Sequence, residues 1–284
     1  GRVAAGPGGG RRNGAHPPAP DGTDPAPLRR RWRWLDGVAL GFVVAVVLST
    51  PALRGSGREL DHWGNFTRFL GRFFPPDFSV LPVAGVALVE TFRIAVLATF
   101  FALFLAVPLG LAGARTLAPR PVTWLARAVL NAVRTLPSLV WALLAVAIVG
   151  ANPRAGVIAL TFYSLGYLGK FFADAFESVD LRAARALRLG GAHVLQAFQY
   201  AVWPAVRPLL WSHTLWMLEY NTRSAAIIGY VGAGGLGVLL HSYQEFYAWD
   251  KFAAVLLLIF ALVCALDALG GWIRGRIQPQ ARTG

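Results

Sequence analysis

Four polar residues inside a long apolar stretch are the side chains of this sequence best suited to bind a ligand. Glu219 and Arg223 are four residues apart, so they lie on one face of a helix, where we expect them to pair. Asn221 and Ser224 lie beside them. A guanidinium offers a planar fork of N–H donors to a tetrahedral oxyanion, so Arg223, with Asn221 and Ser224, could line a path for such an anion. The pair could equally hold two helices together, and both interpretations stay open.

A glycine-rich stretch follows these residues. Its order is Gly229, then Gly232-Ala233-Gly234-Gly235-Leu236-Gly237, which has the G-x-G-x-x-G spacing of dinucleotide-binding loops. Such a loop needs a strand before it and a helix after it, and a phosphate-binding loop also needs a Lys followed by Ser or Thr. An apolar helical stretch comes first here, and no such Lys follows. The spacing therefore indicates a close-packed turn in which backbones approach each other.

A third feature is the connection 178–203, because a minimal link between two helices needs only about two to eight residues. Leu181, Ala184 and Leu187 recur at helical spacing, Asp180 is placed to cap a helix, and Gly191 suits a reversal of the chain. The pattern predicts a helix–turn–helix. It could project from the membrane and dock into a socket on a soluble partner, or lie on lipid headgroups as an amphipathic hairpin.

The composition places all of these residues in a membrane protein. The chain has 284 residues, of which 56% are hydrophobic and only 14% charged, and its mean hydropathy is +0.51. Soluble domains carry about 25% charged residues. The net charge of +13 does not indicate a nucleic-acid partner, because the basic residues fall between apolar runs. The lone Cys264 excludes a disulfide scaffold, the histidines show no metal-ligand spacing, and we assign no catalytic or metal-binding residue.

Apolar length and basic residues predict the topology. A span needs about 20 mostly apolar residues. Six segments qualify, at about 35–53, 84–114, 123–150, 155–176, 204–228 and 251–273. With the N-terminus inside, 18 of the 27 basic residues fall in inside segments, which predicts that both termini and the 178–203 connection are cytoplasmic.

We expect four regions along the chain. The first three are a disordered basic cytoplasmic tail at 1–34, a first transmembrane helix with an extracytoplasmic segment at 35–83, and a core transmembrane domain at 84–275. Residues 276–284 form a second cytoplasmic tail.

Several motifs carry a resemblance to a known family. The connection holds Arg185-Ala186-Leu187-x3-Gly191-x9-Ala201-x-Trp203-Pro204. It resembles the E-A-A-x3-G-x9-I-x-L-P loop of ABC-importer permeases, with Arg185 in place of the Glu and Trp203 in place of the Leu. The stretches 135–144, 166–178 and 219–237, with Glu90-Thr91-Phe92-Arg93, resemble the phosphonate/phosphite branch of these permeases. The resemblance covers about residues 85–275.

The resemblance implies an all-α, six-span type I permease that forms a homodimer. It also implies a dimer of ABC ATPases that binds ATP and Mg²⁺, and an extracytoplasmic phosphonate-binding protein; this chain itself would need no cofactor and contact membrane lipid. The residues that the resemblance implies for coupling to the ATPase are Ala184, Arg185, Ala186, Leu187, Gly191 and Pro204. The expected pathway and gate residues are Glu219, Asn221, Arg223, Ser224, Gly229, Gly232, Gly234, Gly235 and Gly237.

Three other functions remain as alternatives. One is a permease for another small solute, such as methionine. A second is an ion-coupled carrier, which inverted repeats with broken helices would favour, and the sequence reveals none. A third is an integral membrane enzyme, which would need a polar catalytic cluster at an interface.

Overall fold

The computed structural model describes residues 28–53 and 61–277, and the chain is helical almost throughout these ranges. Residues 1–27 and 278–284, which hold most of the two predicted tails, lie outside the described residues. The first helix, α1 (Leu28–Ser49), belongs to a unit of its own and begins before residue 35, its predicted start. With the 3₁₀ turn Thr50–Leu53 it supplies a 19-residue apolar segment, Trp34–Ala52, that is long enough to cross a membrane.

The second unit begins at His62 and contains all the remaining helices. They are α2 (His62–Phe73), α3 (Leu81–Gly113), α4 (Arg120–Arg134), α5 (Ser138–Val149), α6 (Pro153–Glu177), α7 (Arg182–Leu189), α8 (Val194–Ala197), α9 (Trp203–Ile228), α10 (Leu236–Glu245) and α11 (Trp249–Ile277). A π-helical turn, Phe198–Val202, joins α8 to α9, and a 3₁₀ turn, Gly229–Val231, follows α9.

Helices α3, α6 and α9 form the centre of this unit, because small residues let their backbones approach. Buried alanines follow α3 at Ala95, Ala98, Ala102 and Ala106, each fully inaccessible. At Gly110 a Cβ would lie 2.7 Å from the Cβ of Phe172 on α6, so the crossing of α3 and α6 requires a glycine. Lipid gives apolar side chains little reason to associate, so this close fit is what holds the helices together.

The described residues provide up to six membrane spans. Four single helices are long and apolar enough, and two bent pairs supply the others: α4 with α5, bent by 86°, and Val194–Val231 with Leu236–Glu245, bent by 43°. The six-span, all-α prediction is therefore confirmed, but the third span, 123–150, is not one continuous helix. It breaks at Thr135-Leu136-Pro137, since a residue before proline avoids the helical conformation.

Candidate functional site

Asn221 lies at the point where the three central helices meet. Its side chain has no exposed surface, and its Nδ2 donates to Thr99 Oγ1 on α3 at 2.9 Å. Its Oδ1 accepts a hydrogen bond from Ser164 Oγ on α6 at 2.8 Å. Each amide atom therefore has a protein partner, which is the condition for burying an amide in an apolar interior. Ser224 is buried on the same side of α9, so neither residue lies on an open path within the chain.

Glu219 pairs with a residue that local spacing could not identify. Its Oε1 accepts from Arg274 Nη1 on α11 at 2.5 Å, and its side chain is 8% exposed. The predicted pair between Glu219 and Arg223 is therefore wrong. A carboxylate on α9 reaches either its own helix one turn away or any neighbouring helix, and sequence spacing reports only the first possibility. Gly270 leaves room for this pair, since a Cβ there would meet Glu219 Oε1.

Arg223 lies on the exposed face of α9 instead. Trp216, Tyr220, Arg223 and Ile227 recur every three or four residues and form one stripe, which we call the α9 stripe. Trp216 is 39% and Ile227 is 62% exposed. Among the residues that the structure describes, no carboxylate forms an ion pair with Arg223. Residues two apart point about 200° away from each other around a helix, which explains why Asn221 is buried and Arg223 is not.

An aromatic array extends the α9 stripe onto α6. The Tyr163 hydroxyl donates to the Tyr220 hydroxyl at 2.7 Å, and the two rings stack with centroids 5.4 Å apart. Nearer the other end, Phe171 stacks on His213 at 5.0 Å and meets the edge of Trp216 at 5.7 Å. The motifs of the sequence did not indicate this array, although aromatic residues recur every three or four positions along 163–171 and 213–220.

Two further cations border the array. The Arg134 guanidinium lies 5.5 Å from the centroid of the Tyr167 ring, within the range of a cation–π contact. Lys170 Nζ lies 2.8 Å from Asp174 Oδ1, one turn further along α6, so its charge has a carboxylate partner on the same helix. Arg134 at the end of α4 and Arg223 on α9 thus border the aromatic surface, and the N–H donors of their guanidinium groups suit contacts with an anion.

The glycine-rich stretch is a tight turn between α9 and α10. Gly232, Gly234 and Gly235 all have positive φ, at 88°, 89° and 72°. A Cβ at Gly234 would lie 3.0 Å from Pro153 Cγ, and one at Gly235 would meet Thr91 Oγ1. The sequence-based expectation of a close-packed turn agrees with this geometry.

Two side chains of α3 hold the turn in place. Glu90 Oε1 accepts from the Gly235 amide at 3.2 Å, and Thr91 Oγ1 accepts from the Leu236 amide at 2.8 Å. These amides open α10, where unsatisfied N–H groups favour a negative charge. The Glu90 carboxylate thus binds the turn, and Arg93, one turn further along α3, is exposed.

The 178–203 connection is a helical hairpin built from α7 and α8, as predicted. Gly191 has φ of +92° and reverses the chain. Asp180 Oδ1 accepts from the Arg182 amide at 2.9 Å, and hydrogen bonds from the Arg182 side chain and backbone lower the pKa of the exposed Asp180 carboxyl. This contact is complete above the usual pKa range of an aspartate and is lost as the pH falls through the lowered value.

The hairpin presents a different face from the one expected. Ala184, expected to face a partner with Leu187, is half-buried and packs on the central core with Leu181 and Phe198. Leu189 is 91% and Leu195 is 67% exposed. Arg185 and Ala186 are exposed, and Pro204 lies in the first turn of α9. In the part of the chain that the structure describes, no three His, Cys, Asp or Glu side chains could hold a metal ion.

Comparison with known proteins identifies the family. The family of binding-protein-dependent transport system inner membrane components matches residues 106–279. The chain belongs to this family. It is a multi-pass permease subunit of an ABC importer. It is 35% identical to the phosphite transport system permease protein PtxC of Stutzerimonas stutzeri over 245 residues, which cover 86% of this chain and 89% of that one.

Two further comparisons bear on the permease. It is 36% identical to the phosphate-import permease protein PhnE of Mycolicibacterium smegmatis over 247 residues, which cover 86% of this chain and 46% of that one. The fold matches an inward-facing structure of the MetNI methionine ABC transporter with a TM-score of 0.64 and 22% identity, covering 71% of this chain and 99% of that one. The resemblance to phosphonate/phosphite permeases is confirmed. Broken helices would have favoured an ion-coupled carrier, but because the chain belongs to the ABC-importer permeases, the bend between α4 and α5 does not indicate one.

Proposed function

We propose that this permease carries a small tetrahedral phosphorus oxyanion, such as phosphite, a phosphonate or phosphate. The observation that carries the proposal is Arg223, an exposed guanidinium on the α9 stripe without a carboxylate partner among the described residues. Its fork of donors fits two oxygens of such an anion. The relatives named for phosphite and phosphate transport support the same substrate class. The methionine alternative is supported only by a likeness of fold.

The α9 stripe points to a pathway formed between two copies of the chain. A face with Trp216 and Ile227 exposed and Tyr220 half-buried leaves apolar and aromatic surface without cover in the single chain. In the proposed homodimer the two stripes face each other across the path, each with its Arg223. The guanidinium groups of Arg134 and Arg223 would give the anion weak contacts, which permit release. An extracytoplasmic binding protein would supply the anion at the glycine-rich turn, which would act as the gate.

Coupling to ATP is assigned to the hairpin. Hydrolysis would take place on partner ATPase subunits, and the α7–α8 hairpin would sit in a groove of each subunit through Leu187, Leu189 and Leu195, with both termini of the chain in the cytoplasm. The half-buried Ala184 would transmit movement to the core on which it packs. Closure of the ATPase dimer would then rock the central helices from inward-facing to outward-facing.

The Arg223 variants test the path. Arg223→Ala is expected to lower ATP-driven uptake of the oxyanion into proteoliposomes by about tenfold to a hundredfold, because a hydrogen bond to a charged group contributes about 1.5–3 kcal/mol. Arg223→Lys keeps the charge without the fork of donors, so its uptake rate should lie between those of the wild type and Arg223→Ala. Arg154→Ala, an exposed arginine at the start of α6, is the control. Normal uptake by Arg223→Ala would remove Arg223 from the pathway.

The two glycines of the hairpin test coupling. Gly191→Val should strain the turn by about 1–3 kcal/mol because φ is +92° there. Gly190→Val is a matched control, since Gly190 has φ of −79° and only ordinary contacts. We expect the Gly191 variant to insert normally but to lose its ATPase on purification, or to leave ATP hydrolysis uncoupled from uptake. A Gly191→Val permease that keeps its ATPase and imports at the wild-type rate would show that the hairpin does not couple.

Arg185 tests the chemistry of the same contact. The exposed guanidinium stands where the family pattern has a Glu, so the facing ATPase surface should carry an acidic or neutral group. Arg185→Glu should then weaken the complex, and more so at low salt, where repulsion is least screened. If the wild type and Arg185→Glu bind the ATPase with equal affinity at all salt concentrations, Arg185 lies outside the contact.

A further inference from the structure

A basic cavity lies at the end of the bundle where α3 and α6 finish and α4 begins. It has a volume of about 520 Å³. It is lined by Arg115, Ala118, Arg120, Thr123, Trp124 and Arg127. Three of these six residues are arginines, and neither the α9 stripe nor the hairpin contacts described above involve any of them. The cavity therefore needs an explanation separate from the pathway and from coupling.

Arg127 forms a fixed wall of the cavity. Its Nε donates to the Gly113 carbonyl at 2.8 Å, and its Nη2 donates to Glu177 Oε1 at 2.7 Å. The same Glu177 oxygen accepts from the Arg115 backbone amide at 2.6 Å. Glu177 thus ties the end of α6 to the end of α3 and to α4, and it neutralises one of the three guanidinium charges.

The other two guanidinium groups are available to a ligand. Arg115 and Arg120 are exposed, and no carboxylate forms an ion pair with either of them among the residues that the structure describes. The cavity therefore keeps a net charge of two positive units. Two arginines that line one cavity, with no carboxylate partner in the described part of the chain, suit the oxygens of a phosphate group, which accepts paired N–H bonds.

The surroundings of the cavity are apolar and exposed. Trp124, which lines it, is 73% exposed, and the neighbouring Leu125 and Val122 are 60% and 46% exposed. Helix α4 carries these side chains beside its arginines, so it has the amphipathic character of a helix at a membrane surface. Tryptophan concentrates at the boundary between hydrocarbon and headgroups. A ligand here would have its charged part in the cavity and its apolar part along α4.

We propose that this cavity binds the phosphate of an anionic phospholipid headgroup. Arg115 and Arg120 hold the phosphate oxygens, Arg127 and Glu177 keep the wall in place, and the acyl chains lie against Trp124 and Leu125. Inorganic phosphate and the transported oxyanion share the phosphate chemistry, but neither has an apolar part for the exposed side chains. Basic pockets between membrane helices are a recognised setting for acidic lipids.

Native mass spectrometry of the whole chain tests the proposal. The purified chain is incubated in detergent with equal amounts of phosphatidylglycerol and phosphatidylcholine, and the retained lipids are counted. Two arginines near a membrane surface should favour the anionic lipid by about thirtyfold. R115Q/R120Q should remove most of this preference, and Arg120→Gln alone should remove part of it. R93Q/R154Q, which removes two exposed arginines elsewhere in the chain, is the matched control and should retain the preference.

Three outcomes would overturn the proposal. The first is an equal loss of phosphatidylglycerol in R115Q/R120Q and R93Q/R154Q, which would indicate general charge attraction. The second is unchanged retention in R115Q/R120Q and in Arg120→Gln. The third is displacement of the retained lipid by millimolar inorganic phosphate, which would make the cavity a site for the free anion. Because the measurement involves no transport, its result does not depend on the proposed substrate.

Discussion

Arg274→Ala is expected to destabilise the permease by about 3 kcal/mol, because it leaves the Glu219 carboxylate buried without its partner. The Glu219 side chain is 8% exposed, and Arg274 is the residue that neutralises it. Removal of one member of a buried ion pair costs more than removal of both, since the remaining charge has lost its water and its partner. The measurement is the thermal unfolding of the purified chain in detergent, followed by intrinsic fluorescence.

Three variants make this result specific. Arg276→Ala, on the same helix, removes an exposed guanidinium that stacks on Trp272 at 4.2 Å, and it should have little effect. Arg223→Ala should also unfold close to the wild type, because surface substitutions usually change stability by less than about 0.5 kcal/mol. Glu219→Gln combined with Arg274→Ala should recover part of the loss. If Arg223→Ala is the more destabilised variant, Glu219 pairs along its own helix and the contact between α9 and α11 is misassigned.

Gly235→Ala is expected to destabilise the turn before α10 by about 2–5 kcal/mol, from backbone strain and from overpacking together. The residue has φ of +72°, and the added Cβ would meet Thr91 on α3. The new methyl group would also push the turn away from the Glu90 and Thr91 side chains that hold its amides. We expect lower thermal stability and strongly reduced uptake.

Gly85→Ala is the matched control for this substitution. Gly85 lies on α3, and a Cβ there meets nothing within 4 Å, so alanine should be neutral or slightly stabilising. A Gly235→Ala permease that unfolds and transports like Gly85→Ala would mean that the turn is loosely held. It would then have no role as a gate that depends on its packing.

The helices could be predicted from the sequence where a local property decides them. The fifth span was expected at 204–228, and α9 is Trp203–Ile228, because an apolar run followed by glycines fixes both ends. The reversal at Gly191 and the packed glycine turn also follow from local backbone chemistry. Even the break in the third span had a local signal in Pro137, which length and hydropathy outweighed in the prediction.

The partners of the polar residues could not be predicted in the same way. Asn221 was expected on a path, but its hydrogen bonds to Thr99 and Ser164 come from helices distant in sequence. Glu219 could pair with Arg223, one turn along its own helix, or with Arg274 on α11. Only the packing of α9 on α11 selects Arg274. Helical periodicity tells which residues share a face, but it does not tell which neighbour that face meets.

Uptake by the reconstituted complex tests whether the permease carries a phosphorus oxyanion. The permease and its ATPase are reconstituted into proteoliposomes, with ATP on the side of the membrane that carries the ATPase. The binding protein is supplied on the other side, together with labelled phosphite, phosphate or methionine in parallel experiments. We expect ATP-dependent accumulation of a phosphorus oxyanion that other tetrahedral oxyanions inhibit, with no accumulation of methionine. Accumulation of methionine, or failure of every phosphorus oxyanion to accumulate in a complex that hydrolyses ATP, would contradict it.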